Sequence, residues 1–315
     1  MANILLLGAG FSKNWGGLLA REFFDELIGD FMIREDAPSK DVLWLYRNNF
    51  EQALEHIQIT SIAEPTVDNI NRLHRFEDAI RRLFGKMDGI FKDKEFFLRD
   101  AEGRRDGNAT PNAFLSLFNK IFTLNQDLLL EIHHFGRPEF MQDRWRGGWL
   151  PGLVSNKGPD DPKRFADGTW IVNGSLDVAD SYQPYYKLHG SINWPGDGMM
   201  IMGGGKATSI GANQFLTGYH SVFADTLNAP NTRLTVIGYS FGDDLINKAI
   251  EAAVKECDLK IFVIDPRWSD IANKFDAAFR EWFTHAVIGS SQEILYLLRD
   301  DSMDRHRLRG FLSGK

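Results

Sequence analysis

The chain has 315 residues, 43% of them hydrophobic and 25% charged, the proportions of a globular protein with room for a substantial core. Its formal charge of −7 speaks against a broad nucleic-acid-binding face, which would gather Lys and Arg. The single cysteine, Cys257, excludes an internal disulfide and a Cys-rich zinc site. No basic leader or long apolar run is seen, so neither a signal peptide nor a membrane span is expected and the chain reads as cytoplasmic.

The run 4–7 is continuously apolar, as in a strand buried on both faces of a parallel sheet. Glycines follow it, and 18–30 then reads as a helix. Residues 41–98 carry apolar side chains at helical spacing (Leu43, Tyr46, Phe50, Leu54, Ile57; then Ile70, Leu73, Ile80, Phe84), which predicts a helical subdomain. A polar loop at 102–108 closes it. The sheet resumes at 120–124, with a helix over 128–133. Residues 136–183 are rich in Gly, Pro, Asp and Trp and predict irregular structure with a hairpin near 170–172. A strand is expected at 185–188 and a glycine-rich loop or hairpin at 199–211. The end alternates: strand 234–237, helix 244–256, strand 260–264, helix 269–283, strand 286–288. That order predicts right-handed βαβ units, and hence an α/β, Rossmann-like parallel sheet with helices on both faces. A basic cluster, Arg305, His306, Arg307 and Arg309, reads as a solvated tail. One domain over 1–315 is expected, with a helical insertion at 31–110 and an irregular one at 136–183.

The chemistry gathers at predicted strand ends. Gly8, Ala9, Gly10, Phe11 and Ser12 sit where a phosphate-binding turn would sit, although Lys13 replaces the last glycine of GxGxxG. Lys13 either adds charge to a phosphate or is solvated. Asn125 offers a donor and an acceptor to a ribose, carboxamide or water. Asp127 either accepts from a ligand or caps the following helix. His189, ahead of Gly190, is an imidazole able to take a proton near neutrality. The other histidines read as structural. Gly238 permits close approach, Ser240 can bond phosphate or ribose, and Asp243 or Asp244 caps the next helix. Asp265 either meets a ribose or caps a helix.

In this order the segments resemble the sirtuin-like NAD-binding family. Residues 8–12 look like its GAGxS loop, 123–127 like TxNxD, 188–190 like LHG, 238–240 like GxS, and 264–266 like the adenosine-side strand end. The resemblance implies that Asn125 and Asp127 position the nicotinamide ribose and that His189 is the base. It also implies a diphosphate held by Gly8, Ala9, Gly10 and Ser12, with Gly238, Ser240 and Asp265 on the same dinucleotide. Sirtuin deacylases carry a four-cysteine zinc module after LHG, whereas 195–211 here has no cysteine, and 13–17 lacks the GIPDFR continuation. Those departures resemble the bacterial sirtuin-like effectors of anti-phage defence, which destroy NAD. The implied activity is NAD glycohydrolysis, with NAD as substrate and no zinc. Transfer of ADP-ribose, protein deacylation and a non-catalytic NAD or ADP-ribose sensor stay open. A homo-oligomer is expected. By the same resemblance so is an activating partner, such as a HerA-type ATPase or an Argonaute-type module, with no direct nucleic-acid or membrane binding.

Overall fold

The computed structural model describes residues 1–47, 49–97, 110–142, 144–158, 161, 163–194, 201, 206–299 and 302–314. The chain opens with β1 (Ala2–Leu7) and α1 (Ala9–Lys13), then α2 (Ala20–Ile28), α3 (Ala37–Leu45), α4 (Phe50–Ala63), α5 (Val67–Asp93) and α6 (Pro111–Leu115). Next come β2 (Lys120–Thr123), a π-helical turn (Glu131–Phe135), β3 (Gly147–Trp149), β4 (Leu153–Ser155), α7 (Arg164–Asp167), β5 (Trp170–Val172) and β6 (Tyr182–Lys187). The last part runs α8 (Lys206–Ala212), α9 (Gln214–Asn228), β7 (Thr232–Ile237), α10 (Asp244–Cys257), β8 (Lys260–Ile264), α11 (Trp268–Asn273), α12 (Ala277–Phe283), β9 (Val287–Ser290), α13 (Ile294–Arg299) and α14 (Met303–Ser313).

Seven strands form one parallel sheet in the order β3-β6-β2-β1-β7-β8-β9, the α/β Rossmann-like architecture. From β1 the chain builds one half through β2 and β6, then returns to β7 and builds the other half. The crevice beside β1 is therefore a topological switch point, where open α/β sheets bind ligands. Ile4, Leu5, Leu6 and Leu7 are all buried, as the central position of β1 requires.

Helices α2 to α5 lie between β1 and β2 in sequence. In α5 the side chains of Phe76, Ile80, Leu83, Phe84, Met87 and Phe91 recur at helical spacing and are buried, while Thr66 caps its start by accepting from the Asn69 N–H. Phe23 of α2 stacks on Phe50 of α4 with ring centroids 4.2 Å apart and leans on Phe84 at 5.5 Å. Arg82 reaches Asp30 at 2.7 Å and Arg72 reaches Asp36 at 3.1 Å, pinning α5 to the segment ahead of α3.

Three sequence expectations need correction. The helix expected over 269–283 is two, α11 and α12, because Asp276 accepts from the Phe279 N–H and starts a new helix. The loop or hairpin expected at 199–211 contains α8 from Lys206 onward. The basic tail is helix α14, begun by Ser302 and anchored by buried Leu308 and Phe311. The sequence reading places no element at α9 or β3, although Leu216, Tyr219, Phe223 and Leu227 of α9 recur at helical spacing behind the Asn213 cap. The hairpin near 170–172 is present as β4 paired antiparallel with β5, and the polar loop at 102–108 lies outside the described residues.

Candidate active site

Register puts the strand ends in one row. Leu7 pairs with Thr123 and Ile237, Thr123 with Lys187, and Ile237 with Ile264. Because these strands are parallel, Gly8, Asn125, His189, Gly238 and Asp265 all emerge just past that row at one edge of the sheet. They line a single cleft of about 320 Å³, together with Ala9, Gly10, Asp127 and Ser240. Ser12 is the exception: it is buried beneath the cleft rather than lining it.

The two glycine turns are built against each other. The Gly10 N–H donates to the Gly238 carbonyl at 2.9 Å, and the Gly8 N–H to the Ile237 carbonyl at 3.0 Å. The Phe11 N–H also turns inward, to the Gly8 carbonyl at 2.9 Å. Ala9, exposed and lining the cleft, has the one N–H of residues 8–11 that makes no bond among those described. Lys13 is ion-paired with Glu22 at 2.7 Å.

Asn125 joins the second strand end to the first turn. Its Nδ2 donates to the Gly8 carbonyl and to Ser12 Oγ, each at 3.0 Å, so the amide orientation is fixed and Oδ1 is left for a ligand. Ser12 also lies beside the Asp127 side chain and favours its charged form. Asp127 Oδ1 accepts from the Leu129 N–H at 3.1 Å, the capping role, while the residue also lines the cleft. Burial pushes its carboxyl above the usual range, partly offset by nearby Lys187. Beneath it, the Lys187 ammonium donates to the Asp127 carbonyl and to Glu131 Oε1, both at 2.6 Å and fully out of solvent.

His189 leaves β6 ahead of Gly190, whose φ of +74° turns the chain sharply. Its ring Nε2 lies 3.0 Å from Asp243 Oδ2. The sequence reading gave Asp243 only a capping role, which it also fills: Oδ1 accepts from the Leu245 and Ile246 N–H groups. His220 stacks near His189 with centroids 6.5 Å apart, and burial holds it down to about 4, so its Nε2–H donates to the Leu188 carbonyl. Asp265 lines the far wall beside Arg267 and accepts from the Arg267 N–H at 2.8 Å; burial raises its carboxyl.

The opposite wall comes from helices whose lining positions the sequence does not single out. Phe23 of α2, Asn49, Phe50 and Glu51 at the start of α4, and Phe84 and Met87 of α5 all line the cleft. Nothing in the pattern of these helices distinguishes wall positions from ordinary core. Among the described residues no group of three His, Cys, Asp or Glu could hold a metal ion.

A family model for the SIR2-like domain matches residues 119–287, more than half of the chain and every strand end above except the first turn. The chain belongs to the SIR2-like family. SIR2-like domains use NAD, and the family includes NAD-dependent enzymes. Among curated proteins no match to this chain is found. No helix among the described residues of this SIR2-like protein is long and apolar enough to cross a membrane.

Proposed function

We propose that this SIR2-like protein is an NAD glycohydrolase. The observation that carries the reading is the convergence of Asn125, His189 and Asp127 with two interlocked glycine turns on one cleft at the switch point of the sheet. The site is fitted to a dinucleotide by donors and acceptors that its own fold leaves over: Asn125 Oδ1, the Ala9 N–H and the exposed Ser240.

In the reaction the bond between ribose C1′ and the nicotinamide nitrogen breaks, and its electron pair leaves with neutral nicotinamide. Water forms the new bond at C1′ and releases one proton, giving ADP-ribose. C1′ acquires oxocarbenium character on the way, which fixed dipoles and nearby carboxylates favour. Asn125 would hold the ribose and His189 would take the proton, a role worth about 10² to 10⁴ in rate. Asp127, held by the Leu129 N–H, would fix the geometry of the same corner. Hydrolysis is favoured over deacylation by the chain having no cysteine-rich zinc module, Cys257 being its single cysteine.

The same reading takes residues 1–315 as one sirtuin-like domain with insertions at 31–110 and 136–183. It takes the protein as a partner-gated effector in anti-phage defence, acting in the cytoplasm as an oligomer. Support comes from the helices of the first insertion. Their inner faces supply Phe50, Phe84 and Met87 to the cleft, while Trp44, Leu45, Ile59, Ile62 and Val67 are exposed on them. An activator such as a HerA-type ATPase or Argonaute-type module, bound there, would shift the cleft wall through its preference for one arrangement. The deciding experiment follows NAD loss with product chromatography, for the protein alone and with the product of its neighbouring gene. Nicotinamide and ADP-ribose in equal amounts, rising with the partner, are expected. A modified protein product, or tight binding of NAD without turnover, would replace this reading.

A further inference from the structure

Asp243 stands apart because one carboxylate carries two tasks on two different oxygens. Oδ1 accepts from the Leu245 and Ile246 N–H groups at 3.0 and 3.2 Å and so begins α10. Oδ2 meets His189 Nε2 at 3.0 Å, with the two side chains 9% and 4% exposed. Because the cap fixes the carboxylate, the imidazole that leaves the end of β6, with β2 and β1 between it and β7, is held against an immobile acceptor. The position is over-determined: the Asp243 N–H donates to Tyr239 Oη at 3.0 Å, and that hydroxyl also lies 3.0 Å from Asn247 Oδ1.

From this geometry we infer that Asp243 is the positioning residue of the proton-accepting imidazole, setting which nitrogen of His189 works on the substrate; this rests on the glycohydrolase reading of the cleft. A carboxylate can only accept, so Nε2 must carry the hydrogen. The lone pair is then on Nδ1, which has no protein partner among the described residues, on a side chain that lines the cleft. When Nδ1 takes the proton released at C1′, the ring becomes a cation beside the Asp243 carboxylate, in surroundings with little water to screen the attraction. His220 does not compete for that proton: it is not among the residues lining the cleft, and burial keeps it neutral.

The two tasks can be separated by chemistry. In Asp243→Asn the cap demands an oxygen toward Leu245 and Ile246, and Asn is as good a cap as Asp. The amide nitrogen must then face His189, as a donor where there was an acceptor. Nε2 has to give up its hydrogen, and the neutral ring becomes the Nδ1–H form, with no lone pair toward the substrate. In Asp243→Ser the cap is kept and nothing charged reaches the ring.

The test is long-range ¹H–¹⁵N NMR of the full chain labelled in histidine, with the His189 signals assigned by their loss in His189→Gln, paired with steady-state NAD kinetics under activating conditions. Wild type should show His189 as the Nε2–H form, and Asp243→Asn should show it as Nδ1–H. Both Asp243→Asn and Asp243→Ser should melt within a few degrees of wild type. Their kcat should fall by about 10²-fold or more while KM changes little, since tautomer and charge act on the barrier rather than on binding. A folded Asp243→Asn protein that keeps the Nε2–H form, or keeps wild-type kcat, overturns the assignment. If wild type cleaves no NAD, the glycohydrolase reading falls, and the tautomer exchange still decides whether Asp243 governs the ring.

Discussion

Gly10 and Gly238 meet backbone to backbone at the switch point of the sheet. A Cβ on Gly10 would stand 2.7 Å from the Gly238 Cα, and one on Gly238 would stand 2.3 Å from the Phe11 nitrogen. Gly238 also has a φ of +64°, where a side chain is strained whatever the space. Gly238→Ala should therefore cost about 2 kcal/mol or more, since both the clash and the backbone conformation oppose it. Gly85 and Gly89 on the exposed side of α5 have nothing within 4 Å of where a methyl group would stand, and Ala at either should stabilise by about 0.5–1 kcal/mol. Urea unfolding of the three variants checks the contrast. Equal effects at all three positions would mean the turn-to-turn contact is not what the glycines serve.

Those glycines also show how far the sequence could be read. A glycine turn after an apolar run is visible, and ligand approach is its obvious use. The partner of the close approach is in fact the other turn, more than two hundred positions away in the chain, and no local pattern encodes that pairing. Parallel strands are legible because they are buried on both faces and read as continuous apolar runs. The short edge strand β3, Gly147–Trp149, has no such run. Asn125, Asp127 and His189 can be found because each follows a strand directly. The cleft wall of Phe50, Phe84 and Met87 cannot, because a side chain lining a cleft and one filling a core obey the same helical spacing. Asp243 is half legible: an acid after a turn announces a cap, but its second oxygen meets His189 across the sheet edge.

Asn125→Ala should affect both activity and stability. The sequence alone gives Asn125 a ligand to hold, whereas its Nδ2 also holds the Gly8 carbonyl and Ser12 Oγ. Losing two neutral hydrogen bonds at a half-buried site should cost about 1–2 kcal/mol, with most NAD cleavage lost as well. His189→Ala should lose about 10²-fold or more in turnover. Denaturant unfolding beside NAD turnover separates the two effects. An Asn125→Ala protein with wild-type stability would mean the tether to the first turn is not made in solution.

Lys187 and Glu131 form an ion pair sealed from solvent, joined by a Tyr185 Oη contact to Glu131 Oε2 at 3.3 Å. Removing one partner leaves the other buried without compensation. Lys187→Met should cost about 3–5 kcal/mol, and the Asp127 carbonyl loses its donor as well. The double variant Lys187→Met with Glu131→Gln should recover part of that loss, because no lone charge is left behind. A double-mutant cycle on unfolding free energies measures the coupling. Additive losses would mean that the two groups do not sense each other.

Asp88 of α5 reaches under the cleft, where its Oδ1 accepts from the Leu128 N–H at 2.9 Å. Burial pushes its carboxyl up to about 7, with Asp127 and Glu131 adding to the rise and the Leu128 N–H and Lys187 opposing it. An unfolded chain releases this proton near pH 4, while the folded protein keeps it until about pH 7. The native state therefore binds more protons across that window, and stability from this group falls as pH rises from about 4 to 7 and is level above it. Asp88→Asn keeps an oxygen for the Leu128 N–H and carries no proton to lose, so it removes this slope. Comparing variant with wild type at each pH cancels the contributions of titrating groups that do not interact with Asp88. The advantage of Asp88→Asn should grow by about 2–3 kcal/mol between pH 5 and pH 8, at roughly 1.4 kcal/mol for each pKa unit crossed. Unfolding curves at the two pH values measure it, and a difference between the proteins that stays constant with pH would show that Asp88 is charged throughout.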